Sequence, residues 1–259
     1  MIIDSHAHLN DERLMPKASE IVAGFKANNI ESCIIAGFDY KSSKLGVELA
    51  EKYNQWALIG THPEEIEEIN DLILNKYKEL AKNKRVVGIG EIGLDYYYEE
   101  NPPREKQIEA FERQIVMADE VGLPIALHVR DAYGDTLDIL QNMHAHLNNG
   151  ILLHCYSSSQ EMVDRFLKFD CYFALGGAIT FKNAKKEDVI KKIPIDHLLV
   201  ETDCPYLTPH PHRGETNEPK FINLTIDKIA SVLDIDRQEI IDITNKNTKR
   251  LFKKIIWKI

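Results

Sequence analysis

Short, uninterrupted apolar runs recur along this chain. The stretches between them repeat their apolar residues every third or fourth position. The runs are Ile2-Ile3, Ser32-Cys33-Ile34-Ile35-Ala36, Ala57-Leu58-Ile59, Val86-Val87-Gly88-Ile89, Pro124-Ile125-Ala126-Leu127, Ile151-Leu152-Leu153, Cys171-Tyr172-Phe173-Ala174-Leu175 and His197-Leu198-Leu199-Val200. A strand with one wet face alternates; a continuous apolar run suits a parallel sheet covered on both faces. Between the runs, Ile108, Phe111, Ile115 and Ala118 keep helical spacing, as do Met162, Val163, Phe166 and Leu167. Asp236 and Glu239 resemble a capping box opening a last helix with Ile240, Ile243 and Leu251. Eight strands alternating with helices predict an α/β fold, a (β/α)8 barrel. An open doubly wound sheet is the competing arrangement. It lacks its glycine-rich turn after the first strand, where His6 and His8 stand instead. No internal repeat, low-complexity segment or linker breaks the pattern, so residues 1–259 read as one domain.

In such a barrel, functional side chains belong at the C-terminal ends of strands. The first run closes on His6-Ala7-His8, whose two imidazoles share one side of a strand and can reach one point. The third runs into Gly60-Thr61-His62-Pro63 and the fourth into Gly90-Glu91-Ile92-Gly93-Leu94-Asp95. The fifth ends in His128-Val129-Arg130-Asp131, the sixth in His154-Cys155-Tyr156, the eighth in Glu201-Thr202-Asp203. One such histidine is more often structural. Six strand ends carrying His, Glu or Asp together point to a metal site, since a catalytic ion needs about three protein ligands. The other histidines act as controls. His144 and His146 fall in a predicted helix, where residues two apart do not face each other. His197 starts its strand, at the opposite end of the barrel. His210 and His212 lie in a Pro-rich loop suited to substrate contact or packing.

Composition narrows this further. The chain is 44% hydrophobic and 28% charged, enough for a sizeable soluble core. No run approaches the ~20 apolar residues of a membrane span, and the N-terminus lacks the basic leader of a signal peptide. Cys33, Cys155, Cys171 and Cys204 form no CxxC pair and read as reduced thiols in a reducing compartment. The formal net charge of -9 argues against a protein that tracks duplex DNA by neutralising many phosphates. A phosphate substrate would have to be held locally, by metal or a few Arg and Lys.

Six segments, in order over almost the whole length, resemble one family. They are His6-Ala7-His8; Gly90-Glu91-Ile92-Gly93-Leu94-Asp95-Tyr96-Tyr97; Leu127-His128-Val129-Arg130-Asp131-Ala132; His154-Cys155-Tyr156-Ser157; Glu201-Thr202-Asp203-Cys204-Pro205-Tyr206-Leu207; and His212-Arg213-Gly214 with Asn217-Glu218-Pro219. The family is the TatD metal-dependent hydrolases. The resemblance implies a TIM barrel, a cytoplasmic enzyme, divalent metals and phosphodiester hydrolysis of the DNase type. Carried over position by position, it implies that His6, His8, Glu91, His128, His154 and Asp203 are metal ligands. The chain departs from the family pattern at Val129, at Tyr156-Ser157-Ser158 and at Glu64, none of them a ligand position.

Six ligands suit two divalent ions sharing a carboxylate: magnesium, manganese, zinc or iron. The expected division is His6, His8 and Asp203 on one, His128 and His154 on the other, and Glu91 between. Glu91 and Asp203 are then the catalytic carboxylates, with Asp203 taking a proton from water. Glu201 and His62 are expected to orient the metal-bound histidines. Arg130 and Arg213 are candidates for phosphate contact, and Asp95, Tyr96 and Tyr97 for the substrate path. The expected substrate is a single-stranded or frayed DNA end, the expected oligomeric state a monomer. Two other functions fit the same residues. One is an amidohydrolase acting on a small cyclic amide, ester or phosphotriester; many of these carry a carboxylated lysine where this chain has Glu91. The other is a metal-binding accessory or scaffold protein without turnover.

Overall fold

The computed structural model describes residues 1–255; the last four residues of the domain expected over 1–259 lie outside them. Eight strands, β1 (Ile2–Ala7), β2 (Ile30–Ala36), β3 (Trp56–Ile59), β4 (Val86–Asp95), β5 (Ile125–Arg130), β6 (Ile151–Leu153), β7 (Cys171–Leu175) and β8 (Leu198–Val200), pair parallel in sequence order. The ring closes from β8 to β1, where Ser5 Oγ donates to Val200 O (2.9 Å) and Asp203 N to His6 O (3.0 Å). Helices α1 (Ala18–Ala23), α2 (Tyr40–Tyr53), α3 (Asp71–Leu80), α4 (Arg104–Val121), α5 (Tyr133–Asn142), α6 (Gln160–Leu167), α7 (Glu187–Lys192), α8 (Ile222–Leu233) and α9 (Arg237–Leu251) fill the connections. This is the (β/α)8 barrel that the apolar runs predict.

The strands are buried on both faces, for two different reasons. Ile35, Ala57, Ile125, Leu153 and Phe173 belong to the layer packed under the helices. Their neighbours one position away, Ala36, Leu58, Ala126, Leu152 and Ala174, fill the barrel interior, together with Leu199 of β8 and with Phe252 and Ile255 just after α9. That inner layer sets the floor of the site. Two residues further along each strand the side chain points inward again. Thus Ala126 leads to His128, Leu152 to His154, and Leu199 to Glu201 and Asp203.

β1 and β4 reach the site differently. Between Asp4 and Ala7, β1 spends one residue more than β2, and between Ile89 and Ile92, β4 spends one more than β5. Such bulges re-aim side chains, and they coincide with His6 and Glu91. β4 also runs on to Asp95, past the apolar run, and pairs β5 as far as Arg130. Gly93 permits this: its φ is +139°, and a Cβ there would lie 2.1 Å from His128 O.

The remaining expectations meet local chemistry. His144–His146 form a 3-10 turn after α5, and His146 pairs with Asp119 on α4 (3.0 Å), away from the barrel mouth. His197 precedes β8 and pairs with Asp170 and Asp196. Asp236 caps α9 by accepting from Gln238 N (2.7 Å). Both halves of a capping box are made at α2, between Asp39 and Ser42.

Candidate metal centre

At the C-terminal mouth, side chains from six strand ends meet. Neighbouring donor atoms around one ion with bonds of about 2.0–2.2 Å lie roughly 3.0–3.5 Å apart. His6 Nε2 and His8 Nε2 are 3.2 Å apart, and His8 Nε2 lies 3.3 Å from Asp203 Oδ1. Glu91 Oε2 stands 3.3 Å from His6 Nε2 and 3.5 Å from His8 Nε2. The other oxygen of the same carboxylate, Oε1, faces a second group. It lies 2.8 Å from both His128 Nδ1 and His154 Nε2, and 3.5 Å from His62 Nε2. The donor chemistry and spacing fit divalent cations, with one oxygen of Glu91 turned to each group. His6/His8/Asp203, His6/Glu91/His154 and His62/Glu91/His128 are each compact enough to hold an ion. His62, expected only to orient a ligand, therefore sits at donor distance itself.

Burial and charge set the protonation of these groups. His6 is fully buried, and burial together with the neighbouring His154 holds its pKa below the usual value, so it is neutral and free to ligate. Burial and the adjacent His128 push His62 down to about 3. Burial works the same way on His154 and His128, but there the carboxylates win. Glu91 and Glu201 raise His154 well above normal, and Asp95 and Glu91 raise His128. Glu91 is buried, which opposes its charge, yet His154, His62 and His128 hold its pKa well below the carboxylate range.

Several of these donors are backed by a specific contact. His8 Nδ1 faces Ala36 O at 3.0 Å, and His128 Nε2 faces Asp95 Oδ2 at 2.8 Å. Glu201 lies 3.5 Å from His154 Nδ1 and also accepts from Cys155 N (2.6 Å), so it anchors the turn after β6. Asp203 and Cys155 take left-handed backbone (φ 54° and 43°), turning the chain sharply where β8 and β6 end. Asp4 accepts from Thr202 N (3.0 Å) and Thr202 Oγ1 (2.6 Å), tying β1 to the Asp203 turn. Burial raises this carboxyl to about 7.

Two residues of α4 were invisible to the apolar pattern. Gln107 and Gln114 are seven apart, two helical turns on one face, and both are buried. Gln107 accepts from Asp95 N (2.9 Å) and donates to Asp95 O (2.8 Å). Gln114 does the same for Thr61 N (2.8 Å) and Thr61 O (3.0 Å). One helix thus clamps the ends of β3 and β4 and places His62 and Asp95. A polar residue at a helical core position, with no polar partner nearby in sequence, is the signal that points to such a clamp.

The substrate candidates separate. Asp95 is committed to His128 and to Tyr97 N (2.9 Å). The Tyr96 hydroxyl donates to Asp135 (2.7 Å), which also binds Arg104. Arg130 lies over the rings of Tyr97 (3.7 Å) and Tyr98 (4.9 Å). Arg213 stacks on Phe181 at 3.7 Å, beside a hollow of about 420 Å³ also lined by Lys182 and His210. His212 pairs instead with Glu215 (2.9 Å). Tyr206, absent from the expected set, stands beside His8 and carries the Arg13 guanidinium over its ring. The rings of Tyr206 and His8 are 6.0 Å apart, edge to face.

Comparison with known proteins matches the chain to one family. The family model described as TatD related DNase matches residues 3–253. The Bacillus subtilis protein named uncharacterized metal-dependent hydrolase YabD is 42% identical, over 98% of this chain and 99% of that one. Uncharacterized metal-dependent hydrolase YcfH of Escherichia coli is 32% identical, over 97% and 95%. The crystal structure of YjjV, a TatD homologue from Escherichia coli, superposes with a TM-score of 0.92 at 26% identity, covering 97% of this chain and 98% of the other.

Proposed function

The chain belongs to the TatD family of metal-dependent hydrolases, and from that premise we propose that it hydrolyses phosphodiester bonds of single-stranded or frayed DNA ends. The observation that carries this is the placement of Glu91, one oxygen toward His6 and His8 and the other toward His128 and His154. His6, His8 and Asp203 would hold one divalent ion and His128 and His154 a second, with Glu91 shared and His62 in reach of the second. Two such ions, when bound, activate water and neutralise charge on the phosphate oxygens. The residues supply the rest. Glu91 and the ring contacts of Asp95 and Ala36 O keep the donors in place before substrate arrives. Asp203, with its pKa held low by His8, His154 and His6 against the effect of burial, is ionised at neutral pH and can accept a proton from the attacking water. Arg130, at the end of β5, would contact a phosphate of the strand.

His6, Glu91 and His154 are all buried at the mouth of the barrel. A flexible strand would reach buried donors more easily than a stiff duplex. The test compares a labelled single strand, a blunt duplex and a cyclic amide such as dihydroorotate, on chelated and on manganese-, magnesium- or zinc-reconstituted protein. Metal-dependent release of nucleotide, faster from the single strand, is the expected result. Rapid turnover of the amide with no nucleotide released would favour an amidohydrolase. No turnover of any substrate with any metal would favour a binding role. Among the described residues no helix is long and apolar enough to cross a membrane.

A further inference from the structure

Seven large apolar side chains are exposed among the described residues: Met1, Met15, Leu72, Tyr97, Tyr98, Tyr206 and Leu207. Five of them, all but Met1 and Leu72, lie on connections that follow β1, β4 and β8 at the mouth. Exposed aromatics gathered at one end of the barrel suit a ligand with flat apolar faces.

They form two groups on opposite sides of the ring. On the β8–β1 side, Tyr206 is 47% exposed and carries the Arg13 guanidinium 4.5 Å from its ring centre. Asp11 fixes both partners: it accepts from Arg13 Nε (2.9 Å) and Nη2 (3.0 Å) and from the Tyr206 hydroxyl (3.3 Å). The backbone of Tyr206 is held by Asp203 O (2.9 Å) and by Asn217 (2.6 Å). On the β4–β5 side, four strands away, Tyr97 is 53% exposed under Arg130, with Tyr98 edge-on at 4.7 Å. Tyr97 is anchored by Asp95, the residue that holds His128. Each platform is therefore tied, through a neighbour, to a donor of the metal centre: Tyr206 to His8 and Asp203, Tyr97 to His128.

We propose that Tyr206 with Arg13, and Tyr97 with Arg130, are two base-stacking platforms that flank the cleavage site. An unpaired strand would cross the Glu91 cluster with one base stacked on either side of the scissile phosphodiester. This rests on the phosphodiesterase reading above. The chemistry of the platforms suits it: every base offers a π-face, so stacking is tolerant of sequence, and a guanidinium adds cation–π attraction. It also resolves the net charge. A protein at -9 gains little from a broad electrostatic grip, whereas stacking is not screened by salt. Binding to a single strand should accordingly fall only mildly between 50 and 200 mM salt, by about tenfold or less.

The experiment uses the full-length protein and oligothymidylates in which one nucleotide next to the cleaved bond, on one side or the other, lacks its base. Affinity is read by anisotropy in EDTA, and KM and kcat with manganese. For the wild type, loss of either base should raise Kd and KM about tenfold. Tyr206→Leu and Tyr97→Leu should each raise KM for the intact strand by a similar factor, mainly in KM and not in kcat. Each should cost nothing further on the strand lacking the base that its own platform holds. Tyr206→Phe, which keeps the ring but loses the bond to Asp11, should retain most of the affinity; a purely structural role for the hydroxyl would give the opposite. The proposal is overturned if the wild type binds and cleaves the base-lacking strands as well as the intact one, which holds even where a leucine variant fails to fold. It is also overturned if the leucine variants lose the same factor on all strands. Failure of the underlying reading looks different: the wild type then releases nucleotide from no strand at all.

Discussion

Asp95 Oδ2 faces Nε2 of His128 at 2.8 Å, while Nδ1 of the same ring faces Glu91 Oε1 at 2.8 Å. A carboxylate on one ring nitrogen selects the tautomer that leaves the other free for a cation, and raises its basicity. β4 supplies both carboxylates, Glu91 and Asp95, four residues apart on a strand that would have ended at Ile89 had pairing followed only its apolar run.

Replacing Asp95 by Ala should therefore weaken one ion and spare the other. Affinity at the His128/His154 group is expected to fall about 10–100-fold, with the His6/His8/Asp203 group changed little. Metal titration of the chelated protein, followed by calorimetry, separates the two. Equal weakening of both events would contradict this assignment.

Glu91→Ala should remove the shared carboxylate and bring turnover to background, a loss of at least about 100-fold, while leaving the far-ultraviolet dichroism intact. The wild-type protein should show two binding events. The weaker is expected at His128/His154, where Glu91 is the only carboxylate among the expected ligands. A single event at saturating metal would exclude the shared-carboxylate arrangement.

Metal affinity should rise with pH. His154, His128 and His8 all have raised pKa values: burial opposes this, but Glu91, Glu201, Asp95 and Asp203 outweigh it. A proton on these rings competes with the cation, so metal binding expels protons at any pH below the raised values. His6 and His62, whose values are lowered, contribute no such release. Calorimetry in buffers of different ionisation enthalpy measures the proton count, which should decline toward zero as pH climbs through the raised values. A constant count of zero at neutral pH would contradict it.

Gln114→Leu should cost about 1–3 kcal/mol in denaturant unfolding, because the buried N–H and C=O of Thr61 each lose their partner. Gln107→Leu should cost a similar amount by the same route at Asp95. A neutral outcome for both would mean that these contacts do not hold the ends of β3 and β4.

The sequence by itself determined the barrel and the level at which its chemistry stands. A parallel strand buried on both faces must be apolar along its length, so eight strands are legible as eight runs. Alternation then points His128, His154 and Asp203 inward above Ala126, Leu152 and Leu199, with no knowledge of the neighbouring strands. Motif order pointed to the family on the same residues. The tertiary structure alone decided which groups touch. Lateral distances depend on register, and register changed at the two bulges that aim His6 and Glu91. Asp95 became a partner of His128 because β4 stays paired with β5 through Gly93, a matter of backbone approach and not of side-chain pattern. Gln107 and Gln114 hold strand ends because α4 lies against them, and Tyr206 stands by His8 because β8 closes onto β1. Each of these contacts joins residues distant in sequence, so its energy depends on a closed ring of strands that no local pattern encodes.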